Sequence, residues 1–317
     1  MENVSAVTSF IMTAYIELEA YRYLYFLCFL ILYILILLFN SVLILAIYTA
    51  KGLHEPMYLF ICNLAVNGLY GSTVLLPSML GHLSSQNYER SLTHCLLQIY
   101  CLFLYGIVEF TILTVMSYDR YVAICHPLHY HLLMSPRKVT AAIVLSWVVP
   151  CVYFALYFIL TTAQLSFCDR NIEKVYCSNF HLQKLSCFDT SVDNIVGMAL
   201  IIVCPGLPII LILFSYAQIL RICLFASKES QMKALQTCTP HLVTVMNYSV
   251  GVLFELVESS FNMSNIPHKA RIFLSLYFLI IPPLLNPVIY GMSIHTIRVQ
   301  IFKLFLAKEK VNSLNSR

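Results

Sequence analysis

Charge is the scarcest property of this sequence. Only 11% of its 317 residues are Asp, Glu, Lys or Arg, against about 25% in soluble domains. So few charges could not cover the surface of a water-soluble fold of this size. The net charge is +4 and no basic tract is present, so the footprint of a nucleic-acid-binding protein is missing. The apolar stretches contain no paired catalytic carboxylates, nucleophile elbow or metal cluster, and the chain does not read as an enzyme. It lacks the inverted repeats and interrupted half-helices of secondary transporters. No basic segment leads into a short apolar core at the amino terminus, so a cleaved signal peptide is not expected.

What is present is apolar length. Hydrophobic residues make up 60% of the chain, and mean hydropathy is +0.80. The intervals between charges are long: 28 residues from Arg22 to Lys51, 33 from Glu55 to Glu89, and 30 from Lys138 to Asp169. Further intervals hold 27 residues from Asp193 to Arg221, 21 from Lys233 to Glu255 and 26 from Arg271 to Arg298. A bilayer core about 30 Å thick needs roughly 20 apolar residues at helical rise, so six intervals qualify directly. A seventh, Ser91 to Val108, runs past one acid, Glu109, toward Asp119. The expected architecture is all-α: a seven-transmembrane helix bundle. Its spans are placed at Tyr23–Tyr48, Pro56–Leu80, Thr93–Ile124, Val139–Leu160, Asn194–Leu224, Ala234–Val257 and Ile272–Tyr290.

Residues 1–22 then form an extracellular amino terminus, 23–290 the bundle, and 291–317 a short amphipathic eighth helix and cytoplasmic tail. That helix follows from Ile294, Ile297, Ile301 and Phe305 recurring at helical spacing opposite Arg298 and Lys303, as in helices that lie on a membrane surface. With this topology 12 Lys and Arg fall on the inner side and seven on the outer, which places the amino terminus outside. Asn3-Val4-Ser5 is a glycosylation acceptor on that face. Asn262-Met263-Ser264 lies in a short outer loop, and Asn247-Tyr248-Ser249 lies within a span.

Most of the 12 cysteines sit inside spans, as small buried hydrophobes. Four lie on the outer, oxidising side: Cys95 at the top of the third span, and Cys168, Cys177 and Cys187 in the long loop Thr161–Thr190. At least one bridge is expected; four cysteines allow three pairings, and spacing alone does not choose. A bridge from Cys95 would hold the loop as a lid over the bundle mouth.

The inner end of the third span reads Met116-Ser117-Tyr118-Asp119-Arg120-Tyr121-Val122-Ala123-Ile124-Cys125. Pro56-Met57-Tyr58 opens the second span, and Ser215-Tyr216 lies in the fifth. Lys233-Ala234-Leu235-Gln236-Thr237-Cys238 and His241-Leu242 open the sixth, and Pro283-Leu284-Leu285-Asn286-Pro287-Val288-Ile289-Tyr290 closes the seventh. In this order the motifs resemble the odorant-receptor family of rhodopsin-like G-protein-coupled receptors over almost the whole chain. The resemblance implies a plasma-membrane receptor that binds a small-molecule odorant and activates a stimulatory heterotrimeric G protein, with membrane lipid around it. It implies the pairings Cys95–Cys177 and Cys168–Cys187, and an inward swing of Tyr216 and Tyr290 to support Arg120 on activation. Asn67-Gly68-Leu69-Tyr70-Gly71 looks similar to receptors of aquatic vertebrates.

The residues can also be read for themselves. Arg120 at the bilayer edge is tolerable when paired with Asp119 and costly without it, so Asp119-Arg120-Tyr121 reads as a releasable latch. At Asn286-Pro287 the proline removes an intrahelical bond, and the freed carbonyl needs a partner such as Asn286, giving a hinge. Glu109 lies 11 residues before Arg120, roughly 16 Å deeper at helical rise, and an intramembrane carboxylate is functional by default. The resemblance suggests a sodium ion held by Glu109 with Asn286 nearby; the alternative is a protonated acid hydrogen-bonded within the bundle.

The sequence also departs from the family. Gly68 stands where rhodopsin-like receptors carry an aspartate, which removes one charge from the usual ion site. Glu173-Lys174-Val175-Tyr176 precedes Cys177 without the family's histidine, so no metal site is carried over there. His126, His129 and His131 read as loop packing rather than a zinc site. Pro240, where serine is commoner, is expected to bend the sixth helix.

A bundle capped by a tethered loop leaves an apolar cavity in its outer half. Facing positions above the switches nominate Leu102, Phe103 and Gly106 on the third span, and Leu200, Ile201 and Cys204 on the fifth. Ser249, Val252, Leu253 and Leu256 on the sixth and Tyr277 on the seventh complete the set. Glu255 and Glu258 sit near the outer mouth. Solvated, outward placement is the expectation for both, and an inward Glu255 would favour cationic ligands.

Overall fold

The long uncharged intervals are helices. A computed structural model describes residues 7–188, 191–260 and 266–315; the side chains of 191–198, 200–202, 259–260, 268 and 307–315 lie outside that description. Among the described residues seven helices are long and apolar enough to cross a membrane. They run Arg22–Thr49, Pro56–Ser85, Leu92–Cys125, Pro136–Leu160, Ser191–Cys223, Lys228–Ser260 and His268–Ser293. Most reach past the apolar intervals at one or both ends and take in the flanking charged and polar residues. Pro56 and Pro136 each open a helix at its first turn, where a missing N–H removes no intrahelical bond. Pro150, Pro205, Pro208, Pro240, Pro282, Pro283 and Pro287 all stand inside helices.

The pattern of exposure is inverted relative to a soluble bundle. On the first span Leu24, Leu27, Ile31, Ile34, Leu38 and Leu45 are exposed at helical spacing, an apolar stripe suited to hydrocarbon. The interior instead holds Asn40, Asn67, Glu109, Ser117, Asp119, His241, Thr244 and Asn286, all buried. The eighth helix, His295–Asn315, begins just after the seventh ends. Ile297 is fully buried and Ile301 half-buried, whereas Phe302, Phe305 and Leu306 are exposed. The helix therefore divides its apolar residues between the bundle and the surroundings.

The outer end carries one feature absent from the all-helical reading. Three strands form a small sheet in the order β2-β1-β3: β1 is Ser9–Met12, β2 Glu89–Ser91 and β3 Asn171–Ile172. β1 is antiparallel to β2, with Phe10 opposite Arg90, and parallel to β3, with Met12 opposite Ile172. Strands of two to four residues leave no periodicity to read. Their effect is to clip the amino-terminal segment onto the long loop. Arg170 reinforces it with bonds to the Ser9 carbonyl at 3.1 Å and Glu89 at 2.8 Å.

Small residues set the helix spacing, as in membrane bundles generally. A Cβ at Gly71 would overlap the ring of Tyr105, whose hydroxyl donates to the Phe278 carbonyl at 3.1 Å. A Cβ at Gly251 would lie 2.6 Å from that of Phe278. At Gly81, by contrast, nothing lies within 4 Å. Gly71→Ala is therefore expected to destabilise the bundle by about 1–3 kcal/mol, the usual cost of overpacking. Gly81→Ala should be neutral or slightly stabilising. Thermal unfolding of the two purified variants checks the contrast, and equal melting temperatures would refute it.

Candidate ligand cavity and activation switch

The third span presents Ile99, Leu102, Phe103, Gly106, Ile107 and Phe110 along one face, at steps of three and four residues. These residues line a cavity of about 170 Å³. Cys204 and Pro205 close it from the fifth span, Tyr248, Val252, Glu255 and Leu256 from the sixth, and Phe278 from the seventh. Its remaining wall is the loop segment Tyr176, Cys177, Ser178, Asn179 and Phe180.

The loop is held there by several independent ties. Cys95 is bonded to Cys177 and Cys168 to Cys187. The Cys177 N–H donates to Gln98 Oε1 at 3.0 Å, and the Tyr15 hydroxyl donates to the Val175 carbonyl at 2.7 Å. Lys174 reaches the sixth span, with Nζ 2.6 Å from Glu255 Oε1 and 3.0 Å from Glu258 Oε2. Burial works against the Lys174 charge, but Glu255, with Tyr176 and Glu258, more than offsets it and holds its pKa above the ordinary lysine range. The expectation that both acids point outward into solvent is thus corrected. A buried ammonium needs partners, and the two carboxylates are the ones it finds.

Of the nominated ligand residues, Leu102, Phe103, Gly106, Cys204, Val252, Glu255 and Leu256 line the cavity. Leu253 is 61% exposed on the outside of the bundle; Tyr248, Val252 and Glu255 define the inward stripe, and Leu253 falls off it. Ser249 and Tyr277 do not line the cavity either, and the Tyr277 hydroxyl is spent on Asn247 Oδ1 at 2.6 Å. The side chains of Leu200 and Ile201 lie outside the described residues, as does Asn3. Ile99, Ile107 and Phe110 were missed, although continuing the three–four spacing from Leu102 and Gly106 finds them. Of the loop residues the sequence marks only Cys177, through its implied bridge to Cys95.

Below the cavity lies the buried acid. Glu109 Oε2 accepts from Asn67 Nδ2 at 2.7 Å and Oε1 from Asn286 Nδ2 at 2.9 Å, so one carboxyl group joins the second, third and seventh spans. Pro287 has no N–H for the Pro283 carbonyl, and the partner of that carbonyl is Asn40 Nδ2 at 2.8 Å. The proposed role of Asn286 at the break is thereby corrected: Asn40 fills it, and Asn286 is committed to Glu109. A sodium ion, which the family implies, fits this donor set. The amide oxygens of Asn67 and Asn286 are buried without partners, and cations of this hardness prefer oxygen ligands. No group of three His, Cys, Asp or Glu that could bind a metal occurs among the described residues.

At the inner end Arg120 Nε donates to Asp119 Oδ2 at 3.0 Å, its Nη2 bonds the same oxygen, and the Tyr130 hydroxyl donates to Oδ1 at 2.8 Å. Asp119 is fully buried. Tyr121 stands apart from this pair, its hydroxyl 3.0 Å from His126 Nε2. Tyr216 does not meet Arg120 but bonds His241 Nδ1 at 2.6 Å, while His241 Nε2 lies 3.0 Å from the Leu113 carbonyl. A carbonyl only accepts, so Nε2 carries the proton and the Tyr216 hydroxyl donates to Nδ1. Tyr290 is fully buried, beside Thr244.

The olfactory receptor family model matches residues 27–308. The chain belongs to the olfactory receptor family. It is 33% identical over 309 residues to olfactory receptor 1E16 of Mus musculus, covering 97% of each chain. It is 33% identical to olfactory receptor 11A1 of Homo sapiens, covering 98% of each, and 35% identical to olfactory receptor-like protein I9 of Rattus norvegicus, covering 97% of each. This is therefore a multi-pass plasma-membrane protein of the odorant-receptor class of G-protein-coupled receptors, a receptor rather than an enzyme.

Proposed function

We propose that a small odorant occupies the cavity beneath the loop, and that its contacts with the sixth span release the Asp119–Arg120 pair to a stimulatory G protein. One observation carries this reading: cavity and switch share one stripe of the sixth helix. Tyr248 forms the cavity floor, donating to the Gly106 carbonyl at 3.0 Å and packing its ring against Phe110. Seven residues earlier, two turns or roughly 10 Å along the axis, His241 holds Tyr216 and Leu113. Thr244, between them, stands beside Tyr290. A ligand that displaces Tyr248 therefore disturbs the bonds that keep Tyr216 away from Arg120. Freed, Tyr216 and Tyr290 can support an Arg120 that has left Asp119, and Pro287 supplies the bending point of the seventh span.

The basic residues face the G protein on this reading, so the amino terminus lies outside the cell and Asn3 is open to glycosylation. Glu109, with the Asn67 and Asn286 oxygens, would hold a sodium ion. The ion supplies the positive charge that lets Glu109 remain ionised away from water.

In cells that report cyclic AMP, the wild-type receptor should respond to at least one member of a volatile and water-soluble odorant panel. Arg120→Ala should lose that response at equal surface expression, and Asp119→Asn should raise the basal signal. An unaltered response in Arg120→Ala would sink the switch assignment. For the ion, replacing choline chloride by sodium chloride at constant ionic strength should raise the melting temperature of the wild-type protein and not that of Glu109→Gln. Equal shifts in the two would count against sodium.

A further inference from the structure

The cavity wall is apolar, and its polar groups are almost all committed. The Tyr248 hydroxyl is used by Gly106 and the Tyr176 hydroxyl by the Ser275 carbonyl at 3.4 Å. Ser178 is bonded to His181, and Asn179 to Thr162 and Tyr157. Among the described residues that line the cavity, one buried side-chain polar atom has no hydrogen-bond partner: Glu255 Oε2. A carboxylate oxygen only accepts, and leaving it unpaired in an apolar site is costly. The terminal carboxylate torsion is broad, so a small rotation turns this oxygen toward the cavity while Oε1 keeps Lys174.

The direct ionic contacts are also unequal in number. A single ammonium, Lys174, lies between two carboxylates, Glu255 and Glu258. His181 adds no second cation on the cavity side, because burial, with the charges of Lys174, Lys184 and Arg271, pushes its pKa down to about 3. Lys184 and Arg271 stand around the cluster without lining the cavity, and Lys184 is exposed, with its ammonium on the Phe180 ring. We infer that this receptor selects small amines in their ammonium form, which donate to Glu255 beneath the Lys174 tie and seat an apolar body against the third and sixth spans. The inference rests on the cavity being the odorant site. An engineered apolar cavity of about 150 Å³ accepts benzene, so the 170 Å³ here suits a six-membered ring bearing one amino group. Ligand charge is thereby read at the contact that joins the loop to the sixth span, so an ammonium that binds there also loads the helix that carries Tyr248.

The test is a binding titration on purified full-length receptor in nanodiscs at neutral pH, read by ligand-induced thermal shift. The ligands are cyclohexylamine, cyclohexanol, cyclohexanone and cyclohexanecarboxylate, which share a ring and differ in charge and donor capacity. The amine should bind tightest and the carboxylate weakest. In Glu255→Gln amine affinity should fall about tenfold or more, and by a larger factor than that of any neutral member that binds, as expected for loss of a charge-assisted bond. Glu255→Asp should restore part of the amine preference. Tightest binding by the carboxylate would make Lys174 the anchor and overturn the inference. So would an amine that fails to bind the wild type, or one that binds Glu255→Gln equally well. If Glu255→Gln does not fold, the wild-type order of the four ligands decides. Amine binding without any cyclic-AMP response would leave this inference standing and remove the signalling reading. Responses to neutral odorants without amine binding would do the reverse.

Discussion

Hydrocarbon offers a buried polar group no water, so each such group in a membrane bundle needs a partner on another helix. Here that constraint does much of the work that apolar burial does in soluble folds. Apolar side chains gain little by leaving lipid for one another, whereas a carboxyl, an amide or a proline-freed carbonyl is costly until it is met. Glu109 is met by Asn67 and Asn286, the Pro283 carbonyl by Asn40, and the Leu113 carbonyl by His241. Each bond joins two different spans. Together they fix the first, second, third, sixth and seventh helices at mid-depth.

The outer and inner halves hang from this level in different ways. The outer half is closed by covalent and ionic ties, with Cys177 on the third span and Lys174 on the sixth, so its geometry depends on the loop as much as on the helices. The inner half is held by exchangeable hydrogen bonds. Asp119 has Arg120 and Tyr130 as donors, and Tyr216 has His241 as its partner. A receptor needs this asymmetry: a cavity that keeps its shape, above a switch whose partners can be traded within a few kcal/mol.

The spans were legible in the sequence because bilayer thickness imposes a length that charge spacing records directly. Glu109 was legible for the same reason in reverse, as the one acid interrupting an apolar interval. The motifs that carry the family resemblance located Arg120, Tyr216, Asn286 and Tyr290. What escaped depends on which distant residues meet. Asn40 is an ordinary asparagine until Pro283 is placed 243 positions away beside it. Glu255 and Glu258 look solvated until the loop brings Lys174 onto them, 81 residues from Glu255. Leu253 was misplaced for a smaller reason. One residue on a helix turns a side chain by about 100°, enough to move it from the cavity side to the lipid side. The loop wall, Tyr176–Phe180, has no periodicity, and its position is set by Cys95–Cys177.

The claim on which the rest depends is that Glu109 and Asn286 hold the third and seventh spans together. A double-mutant cycle with Glu109→Gln, Asn286→Ala and the double variant, read as thermal stability of the purified receptor, measures that link directly. A coupling of about 1 kcal/mol or more between the two positions is predicted, within the range for contacting polar pairs. Additive effects, with no coupling, would contradict the account.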